Sequence, residues 1–503
     1  MSRFKSLVAM LLALSMLLGV GAMPAMAEET RDDIVIALWG EPSTLCGGLA
    51  ASSSVNMVSR QIFDTLIAKT EETGVYEARL ATEWTWENDN KDLVLTLRDD
   101  VTFHNGEPMT AEDVAFSFNT IINAGYADTA TSAMDSMEVV DDTHVVLHFQ
   151  FEYGPALECV SSDYMVIFPK AAYEAAADFG REPVGTGPYK FVEWTTGDRI
   201  VLTANEDYFL GEPSIHDVTF RILTDNSVAT LALQNGEIDV HTKVPQADVP
   251  NVQADPNLQY DETLGNGTTW IIFNFDGIFA DENLRLAVAH AIDKEGVMIG
   301  AIEGNGEVAQ AIYANFVPGY DFEYEGPAYD PELSRQLLAE AGYPDGLELT
   351  VKASSNEAYA KPLEIVQAYL ADVGIILNIE LMESNAWFED VFKGGDFDLN
   401  LVSFNMAMAD LEELYALYRG GESQNYGHMD DPDVNAAYDA NHTSIDEETR
   451  LEAFRTVQHV MGDRALTVPL YTAMNGIAAN ANLQGVKADQ MGNYWVYNWS
   501  WAE

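Results

Sequence analysis

The chain has 503 residues, of which 47% are hydrophobic and 11% aromatic, and its formal net charge is −56. This composition predicts a folded globular protein and argues against an acidic disordered tail. So negative a charge excludes nucleic acid and anionic membrane surfaces as partners, because both would be repelled. Two interpretations of the charge stay open: a solvated acidic surface that favours solubility, which we prefer, or a preference for cationic ligands.

The first 27 residues have the pattern of a secretory signal peptide. Arg3 and Lys5 precede an apolar run over residues 7–20, and the small-residue motif "AMA" ends at Ala27. Such a run is too short to be a stable membrane span. The first cysteine, Cys46, lies well beyond the expected cleavage site. We therefore expect a periplasmic or secreted protein without a lipid-attachment cysteine.

The chain that remains after residue 27 is too long for a single core and predicts two or three lobes. Its cysteines are Cys46 and Cys159. In an oxidising compartment these either form a disulfide or stay as free thiols, and their distance in sequence decides neither outcome.

In chain order, the first predicted strand runs from Ile34 to Leu38 and ends before Gly40. A second strand is predicted where Leu93, Leu95 and Leu97 alternate with other residues and so share one face. Both strands contribute apolar side chains to a buried core.

The polar turn "HNGEP" follows the second strand, and Thr110 and Asp113 after it form a capping box that predicts a helix start. His104 in this turn has no acid or nucleophile close in sequence, so a structural role is preferred over catalysis. Further on, "THVVLHF" alternates like a strand. His144 and His148 would then lie roughly 13 Å apart and could not share a metal ion.

The second half of the chain alternates helices and strands. Asp330, Pro331 and Gly342 predict a helix with an N-cap, a first-position proline and a terminal glycine. Another helix is predicted from Lys361 to Asp372, and strands over "LELTV", "IILNIELM" and "FDLNLVSF". This alternation with short turns predicts an α/β fold, with lobes connected by strands that cross between them.

The motifs of common enzymes are absent from the sequence: there is no G-x-S-x-G, no Walker loop and no cysteine pair at metal-binding spacing. Gly185 and Gly187 in "VGTGPY" fit a tight turn better than a phosphate loop. The rings of "NYWVYNWSWA" fit core packing better than stacking on a ligand. We expect no catalytic residues, no cofactor and no metal.

Six segments, in order along the chain, resemble the family 5 extracellular solute-binding proteins, which are the peptide- and nickel-type binding components of ABC transporters. The segments are "FHNGEPMTAEDVAFSFN", "VGTGPYKFVEW", "LTANEDYFLGEPSIHDVTFRI", "LQNGEIDV", "NLRLAVAHAIDKEGV" and "YDPELSRQLLAEAGYPDG". The resemblance extends from Ile34 to the C-terminus. It implies a periplasmic-binding-protein-like fold of type II, with two main α/β lobes around a cleft and an inserted lobe that holds the "FHNGEP" turn. The implied boundaries are the signal peptide 1–27, lobe Ia 28–48, inserted lobe Ib 49–183, lobe Ia again 184–268, lobe II 269–472 and the C-terminal part of lobe Ia 473–503.

The resemblance also implies the residues that line the cleft. Peptide-binding relatives hold the ligand ammonium with an aspartate six residues after an aromatic residue, and here Asp410 and Phe404 take these places. Asp410 is equally well placed to begin the helix "LEELYALYRG". Core packing is an equal alternative for Trp270. The remaining expected contacts with ligand are made by Trp270, Asn274, Ala51, Ser52 and Tyr471.

Departures from the family pattern argue against a strict dipeptide site. Leu411 replaces a proline after the acid, and Cys46-Gly47 replaces "DP" after the first strand. In "SSNEAYAKP" the only cation is Lys361, where dipeptide binders carry an arginine. We therefore expect a monomer that captures oligopeptides, or similar amine-bearing solutes, by hinge closure and delivers them to an ABC permease. The alternatives are the same fold with an oligosaccharide or metal chelate, or a secreted peptidase.

Overall fold

The structure, a computed structural model, describes residues 31–502 apart from residue 51 and residues 71–73. The predicted signal peptide, residues 1–27, and Ala51 therefore lie outside the described residues. The strands are β1 (Asp33–Leu38), β2 (Ile67–Lys69), β3 (Tyr76–Ala78), β4 (Ala81–Glu87), β5 (Asp92–Leu97), β6 (Met134–Val139), β7 (His144–Phe149), β8 (Tyr189–Thr195), β9 (Arg199–Ala204), β10 (Asp217–Ile222), β11 (Val240–His241), β12 (Leu258–Phe273), β13 (Gly306–Val308), β14 (Leu347–Ser354), β15 (Ile375–Met382), β16 (Leu399–Asn405), β17 (Thr467–Asn480), β18 (Leu483–Gln484) and β19 (Ser500–Trp501).

Helices alternate with these strands along most of the chain. The α-helices are α1 (Ser53–Ile62), α2 (Ala111–Ala124), α3 (Asp128–Thr131), α4 (Ala156–Val160), α5 (Lys170–Ala175), α6 (Asn226–Gln234), α7 (Val249–Ala254), α8 (Glu282–Ala291), α9 (Lys294–Ile302), α10 (Pro331–Glu340), α11 (Glu357–Asp372), α12 (Ser384–Trp387), α13 (Glu412–Tyr418), α14 (Pro432–His442) and α15 (Glu447–Asp463). Within the described part of the chain, no helix combines the length and the apolar character needed to cross a membrane.

The predicted local elements are largely confirmed. Leu93, Leu95 and Leu97 are all buried on one face of β5. The side chains of Thr110 and Asp113 form the predicted capping box at the start of α2. The predicted start of α11 at Lys361 is wrong, because the helix begins four residues earlier, after the N-cap Asn356. A proline inside the first turns of this helix, which resembles a start signal, explains the error.

The main sheet has the strand order β15-β14-β16-β12-β17-β11-β1-β10-β9-β8, and β13 pairs with β17. Strands β12 and β17 are long and pair antiparallel along their length, with an irregularity between Leu264 and Thr268. They connect a first half-sheet (β8, β9, β10, β1 and β11) to a second half-sheet (β16, β14 and β15). The fold is therefore mixed α/β, as predicted, with strands that cross between its two halves.

The direction of the strands decides which edge of the first half-sheet faces the second. Strand β11 is antiparallel to β17, with Val240 opposite Ala479 and His241 opposite Ala478. Since β17 runs from the second half-sheet towards the first, β11 runs towards the second. Strand β1 is parallel to β11. The carboxyl ends of β1 and β11 therefore point towards the second half-sheet.

The segment predicted as an insertion, residues 49–183 (the inserted segment), contains a separate sheet with the order β4-β5-β7-β6. Its apolar side chains are continuous with those of the first half-sheet in one core, from Ile34 through Phe118 to Trp499. Tyr494 is buried in the same core, so rings of the C-terminal segment serve core packing. The second half-sheet has its own cores.

The "HNGEP" turn fixes the inserted segment to the first half-sheet. His104 Nε2 donates to the carbonyl of Gly187 at 2.9 Å, and its Nδ1 accepts the N–H of Gly185 at 3.3 Å. Burial lowers the pKa of His104 to about 4, so the ring is neutral at pH 7. This turn is a structural joint, as the sequence indicated.

Two glycines make that joint possible by close approach of backbones. A Cβ at Gly185 would lie 2.1 Å from the carbonyl oxygen of Ile62, and one at Gly187 would lie 2.6 Å from the Ile62 carbonyl carbon. Neither glycine has a positive φ angle. The chain bends at residues 186–188, and the two glycines are needed there so that the backbone can pack against the end of α1.

Candidate ligand cleft

The space between the two half-sheets is the candidate ligand cleft. Its first wall is formed by residues that follow β1 and β11, and its second wall by residues that follow β16. Strand β16 is antiparallel to β12, so its last residue, Asn405, pairs with Gly267 beside the irregularity where the strands cross. The loop of residues 406–411 therefore leaves the second half-sheet directly at the cleft.

The loop is held in place from both sides. Asn266 and Met406 exchange a pair of hydrogen bonds: the backbone N–H of Met406 donates to the Asn266 carbonyl at 3.0 Å and the Asn266 side chain to the Met406 carbonyl at 2.6 Å. On the opposite side, the N–H of Ala409 donates to the Glu158 carboxylate of the inserted segment at 2.7 Å. The inserted segment thus closes over the cleft and touches the second wall.

Glu158 is the centre of this contact and is only 3% exposed. The Lys69 ammonium donates to one of its carboxylate oxygens, and the Tyr76 hydroxyl donates to the other at 3.0 Å. Burial alone would raise the pKa of Glu158, but the Lys69 ammonium outweighs it and holds this pKa below its ordinary value. The Glu158 carboxylate is therefore ionised, and it accepts hydrogen bonds from three donors: Lys69, Tyr76 and the N–H of Ala409.

Neighbouring backbone contacts extend the same interface. The N–H of Gly154 donates to the carbonyl of His442 at 3.1 Å, and the N–H of Ile445 donates to the Glu152 carboxylate at 3.0 Å. The rings of Phe151 and His442 lie 4.9 Å apart. Every one of these contacts joins the inserted segment to helix α14 or the turn after it.

A second carboxylate of this region, Glu413, lies on α13. Burial raises its pKa to about 8, although it accepts the backbone N–H of Ala407 at 2.8 Å. This group is therefore partly protonated at neutral pH. The contact region combines one carboxylate held in its charged form with one biased towards its neutral form.

The predicted ammonium acceptor, Asp410, is fully buried and already has donors on both oxygens. Its Oδ1 accepts from Asn441 at 2.8 Å and from the N–H of Glu412 at 2.9 Å, and its Oδ2 accepts from the Arg450 guanidinium. Glu412 is the first residue of α13, so Asp410 also serves the helix start. A ligand ammonium would have to displace the Arg450 guanidinium from Asp410 or share the Asp410 carboxylate with it.

The other predicted contact residues are not brought together in one place. Phe404 and Ser52 are half-buried on opposite walls, at the end of β16 and just before α1. Trp270 is 1% exposed, and its indole N–H donates to the Tyr418 hydroxyl at 2.5 Å. This position favours core packing, the alternative left open for Trp270. Tyr471 is likewise buried in a core.

Asn274 lies just beyond β12, six residues after Thr268 and thus about 20 Å from the crossing. Its side-chain amide donates to the carbonyls of Gly395 and Phe397, both at 2.9 Å. These bonds give Asn274 a structural role at the far end of the strand. Ala51 lies outside the described residues.

Both cysteines are free and buried. Cys159 lies on α4 of the inserted segment, 3.9 Å from the sulfur of Met408 across the contact with the loop. Cys46 lies in the core of the first half-sheet. The structure thus realises the free-thiol alternative.

Sequence reasoning missed Lys69, Tyr76, Glu158 and Arg450. The one local signal was an acid inside the apolar stretch "PALECV", since a charged residue in such a context is buried only when it is paired. Its partners are far away in the chain, because Lys69 is 89 residues from Glu158 and Ala409 is 251 residues away. Periodicity cannot identify such partners.

Comparisons with known proteins agree with this architecture. The model of the family described as "Bacterial extracellular solute-binding proteins, family 5 Middle" matches residues 75–426. The oligopeptide-binding protein AppA of Bacillus subtilis is 24% identical over 485 residues, which cover 90% of this chain and 89% of AppA. Heme-binding protein A of Haemophilus influenzae is 27% identical over 65% of each chain. The solved structure of HbpA2 from Haemophilus parasuis superposes with a TM-score of 0.85 at 24% identity, covering 94% of this chain and all of HbpA2.

Proposed function

Because the chain belongs to the bacterial extracellular solute-binding proteins of family 5, we propose that it captures peptides in the candidate ligand cleft and passes them to an ABC permease. The observation that carries the proposal is the contact between Glu158 and Ala409, which joins the inserted segment to the second wall of the cleft. A ligand that touches both walls stabilises this closed arrangement and so shifts the open–closed equilibrium. The permease recognises the closed form, and the ligand leaves unchanged.

Peptides are the proposed ligand class because AppA, which is similar over most of the chain, is named an oligopeptide-binding protein. The peptide backbone would pair with exposed strand ends, leaving room for varied side chains. The second candidate is a non-peptide solute on the same fold, supported by the likeness to a heme-binding protein over 65% of each chain.

We propose that the moving bodies follow the boundaries implied by the sequence. Lobe Ia comprises residues 28–48, 184–268 and 473–503, the inserted lobe Ib comprises 49–183, and lobe II comprises 269–472. The hinge is then the irregular stretch of β12 and the part of β17 that faces it. In the described part of the chain, β12 and β17 are the only pair of strands that connects the two half-sheets. A cleaved leader, an extracytoplasmic location without a lipid anchor, a monomeric state and the absence of catalysis complete the proposal.

The proposal is tested by native mass spectrometry of the purified protein, followed by small-angle scattering with and without the ligand found. A retained peptide, released intact, and a smaller radius of gyration on rebinding are expected. Incubation with a peptide mixture distinguishes a peptidase, since hydrolysis products would overturn the proposal. A retained non-peptide solute would favour the second candidate.

Asp410 remains the proposed acceptor for a ligand ammonium, with Phe404 and Ser52 as proposed neighbours of the ligand. In an enclosed cleft, a carboxylate facing an ammonium forms a charge-assisted hydrogen bond. Asp410→Asn should then weaken binding of peptides with a free N-terminus far more than binding of their acetylated forms. Equal loss for both would assign Asp410 to the ion pair with Arg450 alone. Trp270, Asn274, Tyr471 and Ala51 remain proposed contacts with less structural support.

A further inference from the structure

A lysine on the first wall of the cleft lacks a counter-charge. Lys243 follows β11 by two residues, and Trp39 is the residue directly after β1. The Lys243 ammonium lies 5.1 Å from the centre of the Trp39 ring. Because the carboxyl ends of both strands point towards the second half-sheet, this pair lies at the base of the candidate ligand cleft.

Other lysines of the described part of the chain, such as Lys170, also form no ion pair, and Lys243 differs from them by its place two residues after β11 beside Trp39. The sequence has 81 acidic residues and 25 basic ones, so a lysine has many potential partners. Lys69, Lys352 and Lys393 each form an ion pair with a carboxylate. Lys243 has no carboxylate oxygen within 4 Å among the residues that the structure describes. Its three N–H donors are left for water or a ligand.

The surroundings of Lys243 disfavour an isolated charge. Its side chain is exposed to solvent in the cleft, yet desolvation by the enclosing protein lowers the pKa of its ammonium. An arriving acceptor would therefore satisfy the Lys243 ammonium, which has no ion-pair partner among the described residues.

A ring beside the ammonium defines the shape of the ligand group. The face of Trp39 offers an apolar surface next to a compact positive charge, which suits a carboxylate attached to an aliphatic stem. A cation–π contact alone contributes little at a solvent-exposed site. The lysine therefore gains most when an anion binds beside the ring.

We propose that Lys243 and Trp39 form a subsite that binds a carboxylate of the captured solute and so selects peptides with an acidic group. This inference rests on the proposed function and names the substrate class within it. The carboxylate comes from either of two sources, the C-terminus of the peptide or an aspartate or glutamate side chain. Dipeptide binders carry an arginine in the segment that is "SSNEAYAKP" here, where the only cation is Lys361. The subsite would supply a cation for the ligand from the first wall instead.

The test uses pools of random pentapeptides in four forms. The C-terminus is either free or amidated, and the central position is either glutamate or glutamine. The full-length protein is equilibrated with all four pools, unbound peptide is removed, and retained peptides are quantified by mass spectrometry. We expect at least about tenfold enrichment of the forms that carry the preferred carboxylate, as for a hydrogen bond between charged groups. If amidation lowers retention, the bound carboxylate is the peptide C-terminus. If replacing the central glutamate with glutamine lowers retention, it is the side-chain carboxylate.

Variants then assign the preference to the lysine. Lys243→Met should retain all four forms alike, and Lys243→Arg should keep the preference because it keeps the charge. Lys170→Met is the matched control, because Lys170 also lies over a ring, that of Phe116 at 5.7 Å, but belongs to α5 of the inserted segment. It should behave as the wild type.

The outcomes separate this inference from the proposed function. If the wild type and Lys243→Met retain the four forms in the same ratio, the subsite is disproved while peptide capture stands. If the wild type retains no peptide in any form, the proposed function fails and the subsite fails with it. Thermal unfolding midpoints that match the wild type show that each variant is folded.

Discussion

Two of the long-range contacts of the inserted segment have opposite chemistry. Towards the first half-sheet, His104 meets the backbone of Gly185 and Gly187 through neutral hydrogen bonds and close packing. Towards the second half-sheet, Glu158 meets the N–H of Ala409 with a paired charge. The first contact is continuous with a shared apolar core, whereas the second joins cores that are separate apart from Met408, which packs into the core of the first half-sheet.

This difference shows how the inserted segment can be fixed to the first half-sheet and still move relative to the second. Separating the first contact would expose apolar surface and leave buried backbone groups without partners, which is strongly unfavourable. Separating the second would return a carboxylate and an ammonium to water, where both are well solvated, and would also uncover the smaller apolar contact of Cys159 with Met408. The inserted segment should therefore move with the first half-sheet when the cleft opens.

The largest expected effect comes from filling the space at the first contact. In Gly185→Ala the new Cβ would lie 2.1 Å from the Ile62 carbonyl oxygen, so the backbones must separate. We expect the free energy of unfolding to fall by about 3 kcal/mol in denaturant titrations. Gly40→Ala is the control, since a Cβ there meets nothing within 4 Å and should change stability by less than about 0.5 kcal/mol. Equal stability of the two variants would refute the close-packing argument.

The first contact should weaken in acid. Burial lowers the pKa of His104 from 6.5 to about 4, so the unfolded chain binds a proton in this range and the folded chain does not. The stabilisation is therefore complete above pH 6.5 and declines by about 3 kcal/mol as the pH falls to 4. His104→Gln should lose this part of the pH dependence, measured as the free energy of unfolding at pH 7 and pH 4. If the free energy of unfolding of the variant differs between pH 7 and pH 4 as much as that of the wild type, His104 is not the source of the pH dependence.

The second contact region should weaken in the opposite direction. Burial raises the pKa of Glu413 from 4.5 to about 8, so the folded chain holds a proton that the unfolded chain has released. Stability from this group is complete below pH 4.5 and is lost as the pH rises through 8. The expected loss is about 1.5 kcal/mol for a partly accessible group. Glu413→Gln should flatten the dependence between pH 5 and 8 in the same titrations, and an unchanged slope would contradict this assignment.

The smallest effect is expected on closure itself. Glu158→Gln removes the charge that the Lys69 ammonium contacts within the inserted segment and that the Ala409 N–H contacts in the closed form. Affinity for the peptide found by native mass spectrometry should fall about tenfold, together with a lower unfolding midpoint because the Lys69 ammonium loses its partner. Glu193→Gln, which disrupts an exposed pair with Arg199, is the matched control. A loss of stability without a loss of affinity would show that the second contact belongs to the fixed structure.

Much of the fold could be predicted from short segments of the sequence. The alternation of leucines in β5, the capping box before α2 and the N-cap Asp330 of α10 depend on residues within four positions of one another. The candidate site was less predictable. Phe404 and Asp410 were identified through resemblance, and only the structure revealed that Asp410 is enclosed by Arg450 and Asn441.

The sequence by itself determined the elements, their order, the α/β class and the family, because these follow from local periodicity and from motifs in a fixed order. The tertiary structure decided which charges are paired, which rings are enclosed and that the cysteines stay apart. It also decided that Lys243 lies beside Trp39 with no ion-pair partner in the described part of the chain. The physical reason is that burial and Coulomb energy depend on distances in space, and these partners are separated by tens to hundreds of residues along the chain.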